Sequence, residues 1–301
     1  MSQGPHGLLV IDKPRGITSH DAVAQARRLY RTRSVGHAGT LDPMATGVLV
    51  LLFGEGCKLS SYLSADDKSY LTTLRFGVAT DSFDADGSET ARQELAPDFP
   101  DPARLEQALA TERERTLQVP PSVSAIHDRG VRAHVRVRRG EALELPPRPI
   151  HVHALELVAR RPHEVDLALT VSKGFYVRAL ARDLGEQLGA PVHLSALRRS
   201  ASGAFRLSEA VAWPCEAPAP LLPLQTAAAR ALPTTQLSDD GVRCARQGKR
   251  LQGEQASAAT LDCVSAWFAP DGALVALGTS HADGTHQVVR GFASGSEATP
   301  D

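Results

Sequence analysis

Gly36-His37-Ala38-Gly39-Thr40-Leu41-Asp42-Pro43-Met44-Ala45-Thr46-Gly47 is the stretch on which the reading of this chain turns. It sets one carboxylate, Asp42, among glycines and a proline, between apolar runs at residues 8–11 and 48–53. Glycine permits backbone conformations that a side chain forbids, and Pro43 fixes the dihedral that follows Asp42. The spacing predicts a rigid loop that presents one acid at the edge of a sheet. An isolated loop Asp is by composition a turn residue or a helix cap. As a nucleophile it would define an active site.

Outward from this loop, residues 8–11 read as a short buried strand. Thr18 and Asp21 have capping-box spacing, with Asp in place of the usual Glu or Gln. The helix they predict carries Ala22, Val23, Ala26, Leu29 and Tyr30 on its apolar face. Arg27, Arg28, Arg31 and Arg33 gather at its end, where positive charge suits the helix dipole and could equally meet phosphate. Residues 48–53 and 69–78 are strand candidates, and residues 80–87 are a polar loop closed by Gly87. A helix is expected to start at Pro102. Residues 148–158 and 165–171 read as paired strands, and residues 176–188 as a helix stopped by Gly189. Residues 193–197 return to the sheet.

Composition changes at Trp213. Residues 214–233, rich in Pro and Ala, read as a connector with little structure of its own. Beyond it a short helix at residues 239–247 precedes strands at 264–268 and 273–277, joined by an Asp271-Gly272 turn. The tail from Ser294 is expected to fray. The fold class expected is α+β, a larger domain with a mixed, mostly antiparallel sheet followed by a small β-rich unit.

The chain has 301 residues, 42% hydrophobic and 22% charged, as in ordinary globular proteins. No apolar run reaches membrane-spanning length, and residues 1–6 lack the pattern of a signal peptide, so a cytoplasmic location is expected. Cys57, Cys215, Cys244 and Cys263 form no C-x-x-C pair and read as isolated thiols. The formal net charge of −1 does not announce a nucleic-acid binder, although a local basic face can serve one.

Several motifs can be set aside. An EF-hand register on residues 82–93 places Ser82 and Gln93 where acids are required. His151 and His153 have no evident third ligand and read as surface or packing residues. No G-x-x-x-x-G-K-S/T, G-x-G-x-x-G or G-x-S-x-G pattern occurs. What remains is Asp42 with two companions. Lys68-Ser69-Tyr70 brings a phenol to the start of a strand, and Ser172-Lys173-Gly174-Phe175-Tyr176-Val177-Arg178 brings a phenol and a guanidinium to a strand-to-helix junction. An arginine beside Asp42 would keep the carboxylate ionised and aimed, and Tyr70 could stack on a planar base.

Residues 36–47 resemble the catalytic-aspartate motif of TruB-type pseudouridine synthases, the family that makes pseudouridine 55 in the T-loop of tRNA. The resemblance extends through Gly7-Leu8-Leu9-Val10-Ile11-Asp12-Lys13-Pro14, Asp67-Lys68-Ser69-Tyr70, residues 80–87, residues 119–125, residues 172–178 and Leu194-Ser195-Ala196-Leu197-Arg198-Arg199. These motifs fall in order across about two-thirds of the chain. The resemblance implies a catalytic domain at residues 1–230, including the connector, and a PUA-like RNA-binding module at residues 231–301. It implies base flipping and Asp42-dependent cleavage of the N-glycosidic bond, by attack on C1′ or proton abstraction at C2′. The base then rotates and rejoins the ribose through C5.

On the same carry-over Tyr70 stacks on the flipped base, Arg178 pairs with Asp42, and Tyr176 and Leu197 belong to the pocket. His37 contacts the RNA, and Lys13 lies near the opening of the site and positions substrate. No metal or organic cofactor is expected, nor an obligatory protein partner; tRNA is the expected partner and a monomer the expected state. The chain departs from the family pattern at His127, Val131 and His134, where Lys and Tyr are usual, while Arg129, Arg132, Arg136, Arg138 and Arg139 keep that segment basic. A non-catalytic tRNA-folding chaperone and the catalytic subunit of a guide-RNA particle are the competing readings.

Overall fold

The computed structural model describes residues 4–121, 127–128, 131–132, 145–258 and 260–293. The substitutions at His127, Val131 and His134, the arginines around them, residues 122–125 and the tail from Ser294 lie outside the described side chains.

The larger unit is built on a nine-stranded mixed sheet. Its order is Val152–Arg161, Glu164–Val171, Lys68–Phe76, Val192–Ser202, Thr46–Phe53, Gly7–Lys13 and Val211–Ala212, with Val35–Ala38 and Phe205–Arg206 as side branches. Most neighbours are antiparallel. Gly7–Lys13 runs parallel to Val211–Ala212, and Val192–Ser202 parallel to Thr46–Phe53. The latter pairing consists of Arg198 against Thr46 and Arg199 against Gly47, after which the two strands part.

The apolar run of Thr46–Phe53 is explained by burial on both faces, a pattern that abolishes the usual alternation. Leu49, Leu51 and Phe53 pack with Leu9 and Ile11 beneath the helix Ser19–Leu29, through Ala22, Val23 and Ala26. The same layer continues under the helices Pro102–Arg113 and Val177–Leu188, through Leu105, Leu109, Leu180 and Leu184. On the reverse face Val48, Val50 and Leu52 join Leu8 and Val10 against Leu224, Ala227, Phe268, Leu277 and Phe292 of the C-terminal part. Each side chain of this size gains about 1.5–3 kcal/mol on full burial.

The capping box forms as expected: Asp21 N–H donates to the Thr18 hydroxyl, and the Asp21 carboxylate accepts from Thr18 N–H. Gly189 ends the Val177–Leu188 helix in the left-handed conformation, at φ 70°. Two expectations need correction. Residues 35–38 belong to no loop; Val35–Ala38 is a strand paired with Thr46–Phe53, so the Asp42 loop spans residues 39–45. Glycine and histidine in that strand hide its β character. The connector at 214–233 is also not structureless. Leu8 and Leu222 exchange backbone hydrogen bonds of 3.0 and 2.7 Å, and the Tyr30 hydroxyl donates to Ala219 O at 2.6 Å. Its proline-free stretch forms the helix Leu224–Ala231.

The C-terminal unit is a six-stranded sheet ordered Leu251–Gln252, Thr285–Gly291, Leu274–Ser280, Val264–Phe268, Thr234–Leu237 and Ala256–Ala258. Its own core centres on Leu237, Leu251, Trp267 and Ala276, with the helix Asp239–Arg246 capped by Ser238. No helix among the described residues is long and apolar enough to cross a membrane.

Where the two halves of the main sheet meet, Gly47 has φ 101°, and a Cβ there would overlap the carbonyl oxygen of Arg199 and lie 2.8 Å from its nitrogen. Gly47→Ala is expected to cost on the order of 2 kcal/mol or more, from strained backbone plus collision. Gly272→Ala, at φ 85° with open space around it, isolates the backbone part. Urea unfolding of the two variants measures the difference, and equal losses would remove the collision from the account.

Candidate active site

The Asp42 loop is pinned by its apolar residues. Leu41, Met44 and Ala45 are buried in the main core, so Asp42 faces outward with its side chain 35% exposed. Backbone ties complete the turn: Ala45 N–H donates to Asp42 O at 3.1 Å, and Gly16 N–H to Pro43 O at 2.8 Å. The buried Ser19 hydroxyl accepts from Leu41 N–H and donates to Leu41 O, at 2.8 and 3.1 Å. The helix N-terminus built by Thr18 therefore also holds the residue before Asp42.

Arg178 enters from the first turn of the Val177–Leu188 helix, where Tyr176 is the N-cap. Its Nε lies 2.9 Å from Asp42 Oδ2 and 3.6 Å from Asp84 Oδ2, and its Nη1 donates to Ser82 O at 3.2 Å. Asp84 was read from the sequence as part of a polar turn and not as a site residue. It is buried, and its Oδ1 accepts from the Ser82 hydroxyl and Asp86 N–H, which directs Oδ2 to Arg178. The signal available for it was the match at residues 80–87. Gln118, also missed, brackets the Tyr176 backbone: its Oε1 accepts from Tyr176 N–H at 2.8 Å and its Nε2 donates to Tyr176 O at 3.2 Å.

These residues line a cleft of about 260 Å³. Tyr70, Phe175, Tyr176 and Leu197 supply aromatic and apolar wall, while Asp42, Lys68, Arg178 and Arg199 supply charge. Strand register accounts for the shared face, since Arg199 stands opposite Tyr70 and Leu197 opposite Thr72. Of the residues expected at the site, Asp42, Tyr70, Tyr176, Arg178 and Leu197 come together here.

Two do not. Lys13 is 0% exposed and is not among the residues that line the cleft. Its ammonium donates to Pro14 O and Ile17 O at 2.8 Å each and to Pro43 O at 3.4 Å, so it props the loop from beneath. Three backbone carbonyls satisfy it, an environment invisible in a linear sequence. His37 sits on the strand before the loop, outside the cleft lining, with its ring edge-on to His20 at 5.4 Å. Burial first, then the neighbouring His20 and Arg199, hold its pKa below the ordinary histidine value. His153 pairs with Asp67 at 3.0 Å, and no cluster of metal-ligand type occurs among the described residues.

The site is an aromatic slot with one partly exposed carboxylate held by a guanidinium. It suits a planar ring held against the aromatic wall beside a fixed carboxylate. The family model described as TruB family pseudouridylate synthase (N terminal domain) matches residues 27–177. The chain belongs to this family. It is 42% identical to tRNA pseudouridine synthase B of Arthrobacter sp. (strain FB24), over 90% of this chain and 92% of that one. Identity is 47% with tRNA pseudouridine synthase B of Parasynechococcus marenigrum (strain WH8102), over 82% and 85%. Its fold also resembles a chain of an H/ACA RNP bound to a substrate RNA containing 2′-deoxyuridine, with a TM-score of 0.72 and 19% identity over 97% of this chain and 87% of that one.

Burial pushes the Lys13 pKa down from 10.5 to about 8, against the opposing pull of Asp42. Between these values the unfolded chain holds the proton and the folded chain does not, so stability from this group rises with pH across that window. Urea unfolding at pH 8 and pH 10 should show wild type gaining relative to Lys13→Met; an unchanged difference would contradict the assignment. Arg178→Ala should cost about 3 kcal/mol by leaving Asp84 buried without its cation. Adding Asp84→Asn should restore much of that stability in the same measurement while leaving turnover lost.

Proposed function

We propose that this pseudouridine synthase isomerises uridine 55 in the T-loop of tRNA. The Asp42–Arg178 pair at the floor of the aromatic cleft carries the reading. The match to relatives named tRNA pseudouridine synthase B supports the substrate class.

The enzyme pays unstacking energy to take the uridine out of the loop, and the flipped base lies against Tyr70. Arg178 holds Asp42 through Oδ2, leaving Oδ1 for the ribose. That oxygen serves two first steps: attack on C1′, or removal of the C2′ proton. In either the C1′–N1 bond breaks and the base carries off its electron pair. The base turns within the cleft and C5 bonds to C1′, as the Asp42–C1′ ester bond breaks on the first route or as Asp42 returns the proton to C2′ on the second; the C5 proton is then lost and N1 takes up a proton, which restores the ring. Tyr70 is the group proposed to assist that transfer, and Tyr176 and Leu197 bound the space in which the base turns.

His37 contacts RNA at the rim. Residues 231–301 form the PUA-like RNA-binding module, and Arg243, Arg246, Lys249 and Arg250 provide it with positive charge. The arginines of residues 129–139 add phosphate contacts whose strength falls with salt. The protein acts as a cytoplasmic monomer without an obligatory protein partner.

Asp42→Asn is expected to abolish tritium release from tRNA carrying 5-tritiated uridine while leaving tRNA binding largely intact. Substantial residual turnover would sink the mechanism. Activity of the purified wild-type chain on a T-arm transcript, lost when the target uridine is replaced by cytidine, separates this reading from guide-dependent and chaperone functions.

A further inference from the structure

We propose that Arg199 is a positioning residue for Asp42, acting as a clamp across the two stems of the catalytic loop. The inference rests on the uridine-isomerisation reading of the site. The Arg199 side chain is 1% exposed. Its Nη2 donates to Gly39 O at 3.1 Å and its Nη1 to Thr40 O at 3.3 Å, both on the incoming stem. Its Nε donates to Val48 O at 2.7 Å, on the outgoing strand. One planar guanidinium thus spans the loop that carries Asp42.

Two glycines serve the approach, Gly39 through its positive φ and Gly47 through its missing side chain. Gly39, at φ 85°, leaves a space whose nearest atoms would be Arg199 Nη1 at 3.6 Å and Lys68 Cε at 3.7 Å. Gly47 lets its stem lie directly against the Arg199 backbone. Among the described residues no carboxylate pairs with Arg199; its three hydrogen bonds go to neutral carbonyls. Burying a cation without a counter-ion is costly, and an apolar side chain would fill the same volume without that cost. What an apolar side chain or a lysine lacks is a rigid fork of donors reaching both stems. Lys13 holds Pro43 O separately, so the loop is gripped at its stems by Arg199 and near its tip by Lys13. Arg178 reaches Asp42 from another element, and the 2.9 Å contact requires the loop to stay in register with that helix.

The test compares Arg199→Met and Arg199→Lys with wild type by steady-state tritium release on T-arm RNA, by RNA binding, and by near-UV circular dichroism. Displacement of reacting groups by about 1 Å costs about 10²-fold, so kcat of Arg199→Met should fall by roughly that factor. Arg199→Met also removes a charge that lines the cleft, so the affinity control is the variant that keeps it. Arg199→Lys keeps the charge but not the fork, so its kcat should fall by about the same factor while its RNA affinity stays within about threefold of wild type. If Arg199→Met fails to fold, Arg199→Lys carries the test. Near-wild-type kcat in a folded variant, or loss of affinity and kcat together in Arg199→Lys, overturns the clamp while wild-type turnover leaves the uridine reading standing. No product from wild type overturns both.

Discussion

The structure depends on a narrow joint. Val192–Ser202 and Thr46–Phe53 belong to one sheet, yet they are bonded through Arg198–Thr46 and Arg199–Gly47 before diverging. Elsewhere the strands are zipped along most of their length, as Gly7–Lys13 is to Thr46–Phe53. Parallel pairing with so short an overlap holds the halves of the sheet together and leaves an opening beside them. The Asp42 loop runs into one strand of the joint and Arg199 lies on the other. Arg178 comes from the helix that leads to the second strand. Groups far apart in the chain therefore converge where the sheet is interrupted, and a glycine without a side chain is the condition for the joint to close.

The charge around this joint does not resemble the charge of the whole chain. The formal net charge is −1, whereas Lys13, Lys68, Arg178 and Arg199 are all buried near the loop, against the carboxylates of Asp42 and Asp84. Burial depresses the pKa of Lys68 as well as Lys13, to about 8 in each case, and Arg199 contributes to both shifts. Positive charge enclosed by low-dielectric walls projects toward the cleft mouth more strongly than the same charge spread over a surface. For a polyanionic substrate this concentrates attraction at the reacting nucleotide. An overall count of acids and bases has no access to that distribution.

Much of this was legible in the sequence wherever a local rule decided the outcome. Thr18 and Asp21 announced their helix, Gly189 its end, and the run at 48–53 a buried strand. The pairing of Asp42 with Arg178 was expected from motifs 136 positions apart, because the family resemblance supplied the long-range link. Local rules failed where tertiary surroundings decided. Lysine is usually exposed, so Lys13 was placed at the opening; carbonyls from Pro14, Ile17 and Pro43 make a buried site for it instead. Asp84 had the surroundings of a turn residue and is one, but its second oxygen serves Arg178. The prolines on either side of Leu224–Ala231 concealed a helix whose partners, Leu8 and Val10, lie more than two hundred residues away.

That helix and the C-terminal sheet close the reverse face of the strand leading out of the Asp42 loop. Val48, Val50 and Leu52 share one apolar layer with Leu224, Phe268, Leu277 and Phe292. The two units are thus not beads on a string. Trimming the C-terminal unit would uncover oily surface directly behind the strand that follows the Asp42 loop, so a loss of turnover in a shortened protein would not measure RNA recognition alone. Grafting a foreign RNA-binding module onto this catalytic unit carries the same demand: the graft must bring its own lining for Leu8, Val10, Val48, Val50 and Leu52. Any exchange of modules is therefore a problem of matching interior surfaces before it is one of matching ligands.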